Sequence, residues 1–127
     1  MGKKIVIIDD ELHIRMLMEQ TLEDFEDEDV EIFTAANGAE GLELIIEEKP
    51  DLVICDVMMP KMNGFEVCEK VKSDPELKHI YFILLTAKGQ EADKQKGASM
   101  GADMYMTKPF DPDMVLQKVG ALLGIDA

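Results

Sequence analysis

The sequence predicts an α/β fold: five β-α repeats, (βα)5, forming one doubly wound, five-stranded parallel sheet. Three observations lead there. Five short runs rich in β-branched and apolar residues recur at regular intervals, and short apolar runs of this kind suit strands buried on both faces. Stretches with helical periodicity separate them, the alternation expected of a parallel sheet with crossover helices. The chain of 127 residues has the size of one domain, residues 1–127, and its 46% of apolar residues suffices for a core.

The first strand is predicted over Lys4–Ile8 (KIVII), bounded by Asp9-Asp10. A first helix follows from Glu11 to about Phe25, with Ile14, Leu17, Met18, Thr21, Leu22 and Phe25 on one broad face. Val30–Ala35 (VEIFTA) is the second strand, and Asn37 is placed to cap a helix carrying Ala39, Leu42, Ile45 and Ile46 that ends before Pro50. Asp51–Asp56 (DLVICD) is the third strand. Asn63 can cap the next helix, with Phe65, Val67, Cys68 and Val71 inward, ending near Ser73-Asp74-Pro75. Ile80–Leu85 is the fourth strand. The helix from Gln90 to Ala98 is polar almost all round and closes at Gly97 and Gly101. Ala102–Thr107 (ADMYMT) is a weaker fifth strand. Asp111-Pro112 then reads as N-cap and first-turn proline of a helix bearing Met114, Val115, Val119, Leu122 and Leu123.

Composition excludes several function classes. There are 27 Asp+Glu against 13 Lys+Arg, a formal charge of −14, and the only arginine is Arg15. Such a surface repels nucleic acid and anionic membranes. The longest apolar run, Ile80–Leu85, is far short of the ~20 residues of a membrane helix, and the start of the chain shows no signal peptide, so a cytoplasmic location is expected. Cys55 and Cys68 lack a CxxC spacing and sit in apolar runs, as buried reduced thiols do. Seven acids crowd the nine residues from Glu23 to Glu31, a pattern of solvated surface.

In doubly wound sheets the site lies at the carboxyl ends of the strands. Those ends carry Asp9-Asp10, Asp56, Thr86 and Lys108. One aspartate before a helix is explained as an N-cap; two adjacent aspartates, a following Glu11 and a third carboxylate on another strand are not. In strand order 2-1-3-4-5 the first and third strands are neighbours, so Asp9, Asp10 and Asp56 converge. Such a cluster needs a proton or a cation, and hard oxygen donors with no His or Cys favour Mg2+, with Mn2+ as an alternative occupant. A strand-end carboxylate beside Mg2+ can also attack a phosphoryl group and become an acyl phosphate. Lys108 supplies a point cation and Thr86 a hydroxyl, while the small Ala87 leaves an entry path. Lys108-Pro109 makes a cis turn accessible; a proline merely separating strand from helix is the local alternative.

These residues stand in a pattern that resembles the receiver domains of two-component response regulators, the CheY-like (flavodoxin-like) fold, whose sheet has the order 2-1-3-4-5. The resemblance runs through Ile7-Ile8-Asp9-Asp10-Glu11, the stretch Asp51 to Gly64 (DLVICDVMMPKMNG), Leu85-Thr86-Ala87, and Gly101 to Phe110 (GADMYMTKPF). It implies a function in which Asp56 accepts a phosphoryl group from a histidine kinase or histidine phosphotransfer protein. It implies Mg2+ held by Asp9, Asp10, Asp56 and the backbone carbonyl of Met58, with Asp9 acting through water. Lys108 would pair with the phosphoryl group, Thr86 would bond to it, Tyr105 would be the aromatic switch and Pro109 would follow a cis bond. Met58 and Lys88, two residues beyond Asp56 and Thr86, occupy the positions that tune phosphoryl lifetime; neither is a carboxylate or amide, so slow self-dephosphorylation is expected.

A docking patch for the kinase or phosphotransfer partner is expected at Leu12 and Met16, which fall off the apolar stripe of the first helix, extended by Ile14, Met18, Pro109 and Phe110. His13 and His79 lack a supporting base and are poor phosphodonors. With no effector segment before Ala127, output would pass through protein contacts, as a monomer or as a dimer formed on phosphorylation; a receiver cut from a longer regulator is the alternative. The domain would catalyse its own phosphorylation and hydrolysis without turning over an external substrate. A haloacid-dehalogenase-like phosphatase needs an acid/base carboxylate where Met58 stands. A flavodoxin-like cofactor site would need a phosphate loop where Asp9-Asp10-Glu11 would repel one, and a purely structural module leaves the convergent acids unexplained.

Overall fold

The computed structural model describes residues 2–59, 61–87 and 91–125, with the backbone alone at 26 and 91–94. These form β1 (Lys3–Ile8), α1 (Leu12–Leu22), a 3-10 helix (Glu23–Glu28), β2 (Val30–Ala35), α2 (Gly38–Glu48), β3 (Leu52–Asp56), α3 (Gly64–Ser73), β4 (Tyr81–Ala87), α4 (Glu91–Met100), β5 (Met104–Lys108) and α5 (Pro112–Leu123). The strands are all parallel in the order β2-β1-β3-β4-β5, as expected. Lys88, Pro60 and the expected helix start at Gln90 lie outside the described residues.

Side chains alternate across the sheet, and the two faces divide the core accordingly. Ile5, Ile7, Leu52, Ile54, Ile83, Leu85 and Met106 face α1 and α5. Val6, Ile8, Val53, Cys55, Phe82, Leu84 and Tyr105 face α2, α3 and α4. Both cysteines are free and buried, and burial, the largest cause, pushes both thiols up, Cys68 to about 11.

The caps hold where side chains anticipate them. The Asn37 side chain accepts from Glu40 N, Asn63 forms a complete capping box with Glu66, and Asp111 caps α5 ahead of Pro112. The first helix is shorter than expected. It ends at Leu22 and passes into the 3-10 turn, which still buries Phe25. The reason is charge: the acids that follow would sit at the negative end of the helix dipole with no basic residue in the last turn. The buried face is also narrower, with Met18, Thr21 and Leu22 buried but Leu17 42% exposed. Leu12 and Met16 are exposed, as their spacing expects.

Candidate metal and phosphoacceptor site

The site is assembled from strand ends. Asp9 follows β1, Asp56 ends β3 and Lys108 ends β5. Counting by twos along each strand puts all three on the α1/α5 face: Asp9 continues Ile5 and Ile7, Asp56 continues Leu52 and Ile54, and Lys108 continues Met106. Lys108 Nζ bridges the two carboxylates, 2.8 Å from Asp9 Oδ2 and 3.2 Å from Asp56 Oδ2, with Glu11 Oε1 at 3.7 Å. Asp9 is fully buried and Asp56 is 5% exposed, so this is a charged cluster held largely out of water.

The electrostatics follow from that burial. Desolvation, the largest effect, and then the Asp9 carboxylate raise the Asp56 carboxyl from 3.8 to about 6; Lys108 pulls it down and Asp10 adds to the rise. Burial works against the Lys108 ammonium, but the Asp9 and Asp56 carboxylates outweigh it and its pKa lies above the ordinary value. One ammonium between carboxylates leaves the cluster net negative. One oxygen each of Asp9, Asp10 and Asp56 lies within 4.8 Å of the others, a hard-oxygen donor set that fits a divalent cation such as Mg2+.

The surrounding backbone is braced. Asp9 Oδ1 accepts from Glu11 N at 2.9 Å; the N-cap of α1 is Glu11, with no side-chain cap bond, so neither Asp9 nor Asp10 is spent on capping. Arg15 Nη1 donates to the Asp9 carbonyl at 2.7 Å. After Asp56, Val57 N donates to Leu85 O and Gly64 N to Val57 O, both at 3.0 Å. A methyl group on Gly64 would run into the Asp56 carbonyl oxygen, so α3 starts directly against the Asp56 backbone only because residue 64 has no side chain. Glu11, Arg15 and Gly64 were not singled out by the sequence for these contacts. The acid following two aspartates, the lone arginine and the glycine just after a cap were their signals.

Thr86 is 2% exposed and pairs with Thr107. It continues Phe82 and Leu84, so it lies on the α2/α3/α4 side with Tyr105, which pairs with Leu84. The Met58 side chain is 74% exposed. The Lys108-Pro109 peptide is cis. The residues expected to form a docking patch divide. Leu12 and Met16 are exposed and Ile14 is half-buried, but Met18 is fully buried and Phe110 only 9% exposed. Those two are corrected from surface to core: Met18 lies one helical turn from both Ile14 and Leu22 on the ridge facing the sheet, and Phe110 packs in the same cluster as Val115.

Fold and site together define a doubly wound α/β domain with a lysine-bridged carboxylate cluster at the switch in strand order. The profile of the response regulator receiver domain matches residues 5–120. Among curated proteins, the chain is 43% identical over 123 residues to the alkaline phosphatase synthesis transcriptional regulatory protein PhoP of Bacillus subtilis, covering 97% of this chain and 49% of that protein. It is 40% identical over 121 residues to the probable transcriptional regulator ycf27 of Cyanophora paradoxa, with 95% and 48% covered. The chain thus spans about half the length of these relatives. Among solved structures, a putative response regulator from Chloroflexus aurantiacus superposes with TM-score 0.88 at 31% identity over 98% of this chain and 99% of that one. The chemotaxis protein CheY4 of Vibrio cholerae gives 0.85 at 32% over 96% and 99%. The receiver domain of a sensor histidine kinase from Pseudomonas aeruginosa, with a magnesium ion coordinated in its active-site cleft, shares the fold at TM-score 0.85 and 18% identity over 98% and 99%.

The chain belongs to the response regulator receiver domain family. It is accordingly a domain of two-component signal transduction.

Proposed function

We propose that Asp56 accepts a phosphoryl group from a phosphohistidine of a histidine kinase or phosphotransfer protein, with Mg2+ held by Asp9, Asp10, Asp56 and the Met58 carbonyl. The observation that carries this reading is Lys108 Nζ lying 2.8 Å from Asp9 and 3.2 Å from Asp56 across three strand ends. A cation already seated between the acceptor and a neighbouring carboxylate can turn to the incoming phosphoryl oxygens. An Asp56 carboxylate oxygen attacks phosphorus, the P–N bond to the donor imidazole breaks, and the imidazole leaves with the bonding pair and takes up a proton. The product is a mixed anhydride, an aspartyl phosphate. Mg2+ supplies charge neutralisation when bound. Bringing the Asp56 carboxylate to its ionised form works against its raised pKa, and a divalent cation among three carboxylates lowers that cost.

Thr86 then bonds the phosphoryl group, and Tyr105, on the same side of the sheet, follows it, a population shift between two arrangements. Neither Met58 nor Lys88 carries a group that orients an attacking water, so the phosphoryl group decays slowly. Decay as fast as that of short-lived receivers would sink this part. Leu12, Ile14, Met16 and Pro109 form the face offered to the phosphodonor protein. The reaction takes place in the cytoplasm. A phosphatase of haloacid-dehalogenase type is not favoured, because Met58 cannot serve as its acid/base. The test is labelling by a small phosphodonor with and without Mg2+. Wild type labels only with Mg2+ and Asp56→Asn does not label; equal labelling of both would overturn the assignment of Asp56.

A further inference from the structure

Gly97 occupies an unusual place in α4. This helix is polar along most of its length, yet Gly97 is buried in its middle against the sheet. A methyl group there would run into the Tyr105 hydroxyl oxygen, and it would stand 2.6 Å from Tyr105 Cζ and 2.7 Å from Leu84 Cδ1. Glycine weakens a helix interior, so its presence on the one face that meets β4 and β5 has a cost that propensity does not explain. What it provides is a notch the width of a Cβ, filled by the phenol end of Tyr105. Tyr105 pairs with Leu84 across β4 and β5, and Thr86 lies two residues further along the same face. The helix is closed just beyond by Ala102 N donating to the Gly97 carbonyl at 3.0 Å, which ties this turn of α4 to the lead-in of β5.

We propose that Gly97 is the positioning residue of Tyr105: the missing side chain at 97 forms the seat of the phenol, so the α4 backbone itself sets the inward pose of the ring. This deepens the switch reading of Tyr105 and rests on it. A side chain at 97 evicts the ring, and α4 then loses its coupling to Thr86. The ring is stiff beyond Cβ and leaves the notch only by rotating as a whole, which makes the seat two-state rather than graded.

The chain lacks tryptophan and has two tyrosines, so Tyr81→Phe leaves Tyr105 as the only tyrosine emitter. In that parent, acrylamide quenching of the unphosphorylated protein is compared with and without Gly97→Ala. The expected result is a rise in Tyr105 quenching toward that of a free tyrosine amide, with the circular dichroism of a folded domain. Thermal unfolding gives the second readout. Gly97→Ala lowers Tm when Tyr105 is present and lowers it less when Tyr105 is replaced by Ala, because the phenol is then gone, only the Leu84 methyl has to yield, and the higher helix propensity of alanine offsets that shift. If Gly97→Ala does not fold by itself, its rescue by Tyr105→Ala supports the seat. Unchanged quenching, or the same Tm shift in both backgrounds, overturns it. The switch reading is checked separately in the Tyr81→Phe parent: phosphorylation at Asp56 must change Tyr105 quenching, and its failure to do so removes the switch role while leaving the seat standing or falling on its own result.

Discussion

Asp56→Asn in the cation-free protein should stabilise the fold, and the gain should depend on pH in a defined direction. Asp56 is raised from 3.8 to about 6 by burial first and by Asp9 second, against the pull of Lys108. The native state therefore holds more protons than the unfolded state between those values. The contribution of this group to stability is fully present below about pH 4, falls as pH rises, and is lost once pH passes about 6. A shift of about 2 units corresponds to about 3 kcal/mol. Exposed Asp10 and Met58 at the rim of the site admit water, and screening there reduces the figure to roughly 1–2 kcal/mol. Asn matches the shape of the carboxylate and carries no charge, while Lys108 keeps its Asp9 partner. Urea unfolding followed by circular dichroism, in chelator at constant ionic strength, gives the stability of both proteins from pH 4 to 7.5. Asn removes the Asp56 charge from its neighbours together with its own titration, so the difference between the curves reports Asp56 with its coupling to Asp9, Asp10 and Lys108. It should be near zero at pH 4 and grow in favour of Asn to ~1–2 kcal/mol above pH 6. A flat difference, or one favouring Asp at neutral pH, would refute the account of the cluster as net repulsive.

Mg2+ at about 100 times its dissociation constant should stabilise the wild type by ~3 kcal/mol, read as a rise in Tm; Asp10→Asn should reduce that rise while changing the cation-free Tm little, since Asp10 is exposed. Lys72→Met should cost about 2 kcal/mol in urea unfolding. Lys72 Nζ lies 2.7 Å from Asp103 Oδ2 and donates to the Ile80 carbonyl at 2.6 Å, joining α3 to the starts of β4 and β5; a loss under ~0.5 kcal/mol would mean an ordinary surface pair. Asn63→Ala should cost ~1 kcal/mol through the lost capping box. Because α3 starts against the Asp56 backbone, the same variant should also label more slowly with a small phosphodonor; unchanged labelling would separate the cap from the acceptor loop.

Much of this was legible from residue order because the governing patterns are local. Short apolar runs marked the strands and 3.6-residue periodicity marked α1, α2, α3 and α5, while α4, polar almost all round, was placed by the alternation of elements; Asn37, Asn63 and Asp111 marked three helix starts that the structure caps with those side chains. The convergence of Asp9, Asp10 and Asp56 was legible as well, given the strand order, since carboxylates that end neighbouring parallel strands must meet. The errors arose where two local signals competed. Phe25 prolonged an apolar stripe, and the acids around it ended the helix. Met18 fitted both the stripe and the docking patch, and only packing assigned it to the core. Glu11 and Arg15 are ordinary residues of an α1 entry, and their contacts with Lys108 and the Asp9 carbonyl depend on side-chain reach across the site.

The sequence by itself determined the alternation of strands and helices and the charged residues closing the strands, because period and terminal position are properties of a single segment. Tertiary structure alone decided on which face each of those residues stands. The parity of three registers sends Asp9, Asp56 and Lys108 to one side and Thr86 with Tyr105 to the other. It also decided that Lys108 rests between two carboxylates and that the phenol of Tyr105 meets a glycine. Such pairings join segments far apart in the chain, and their geometry exists only once the sheet has closed and the helices have packed on it.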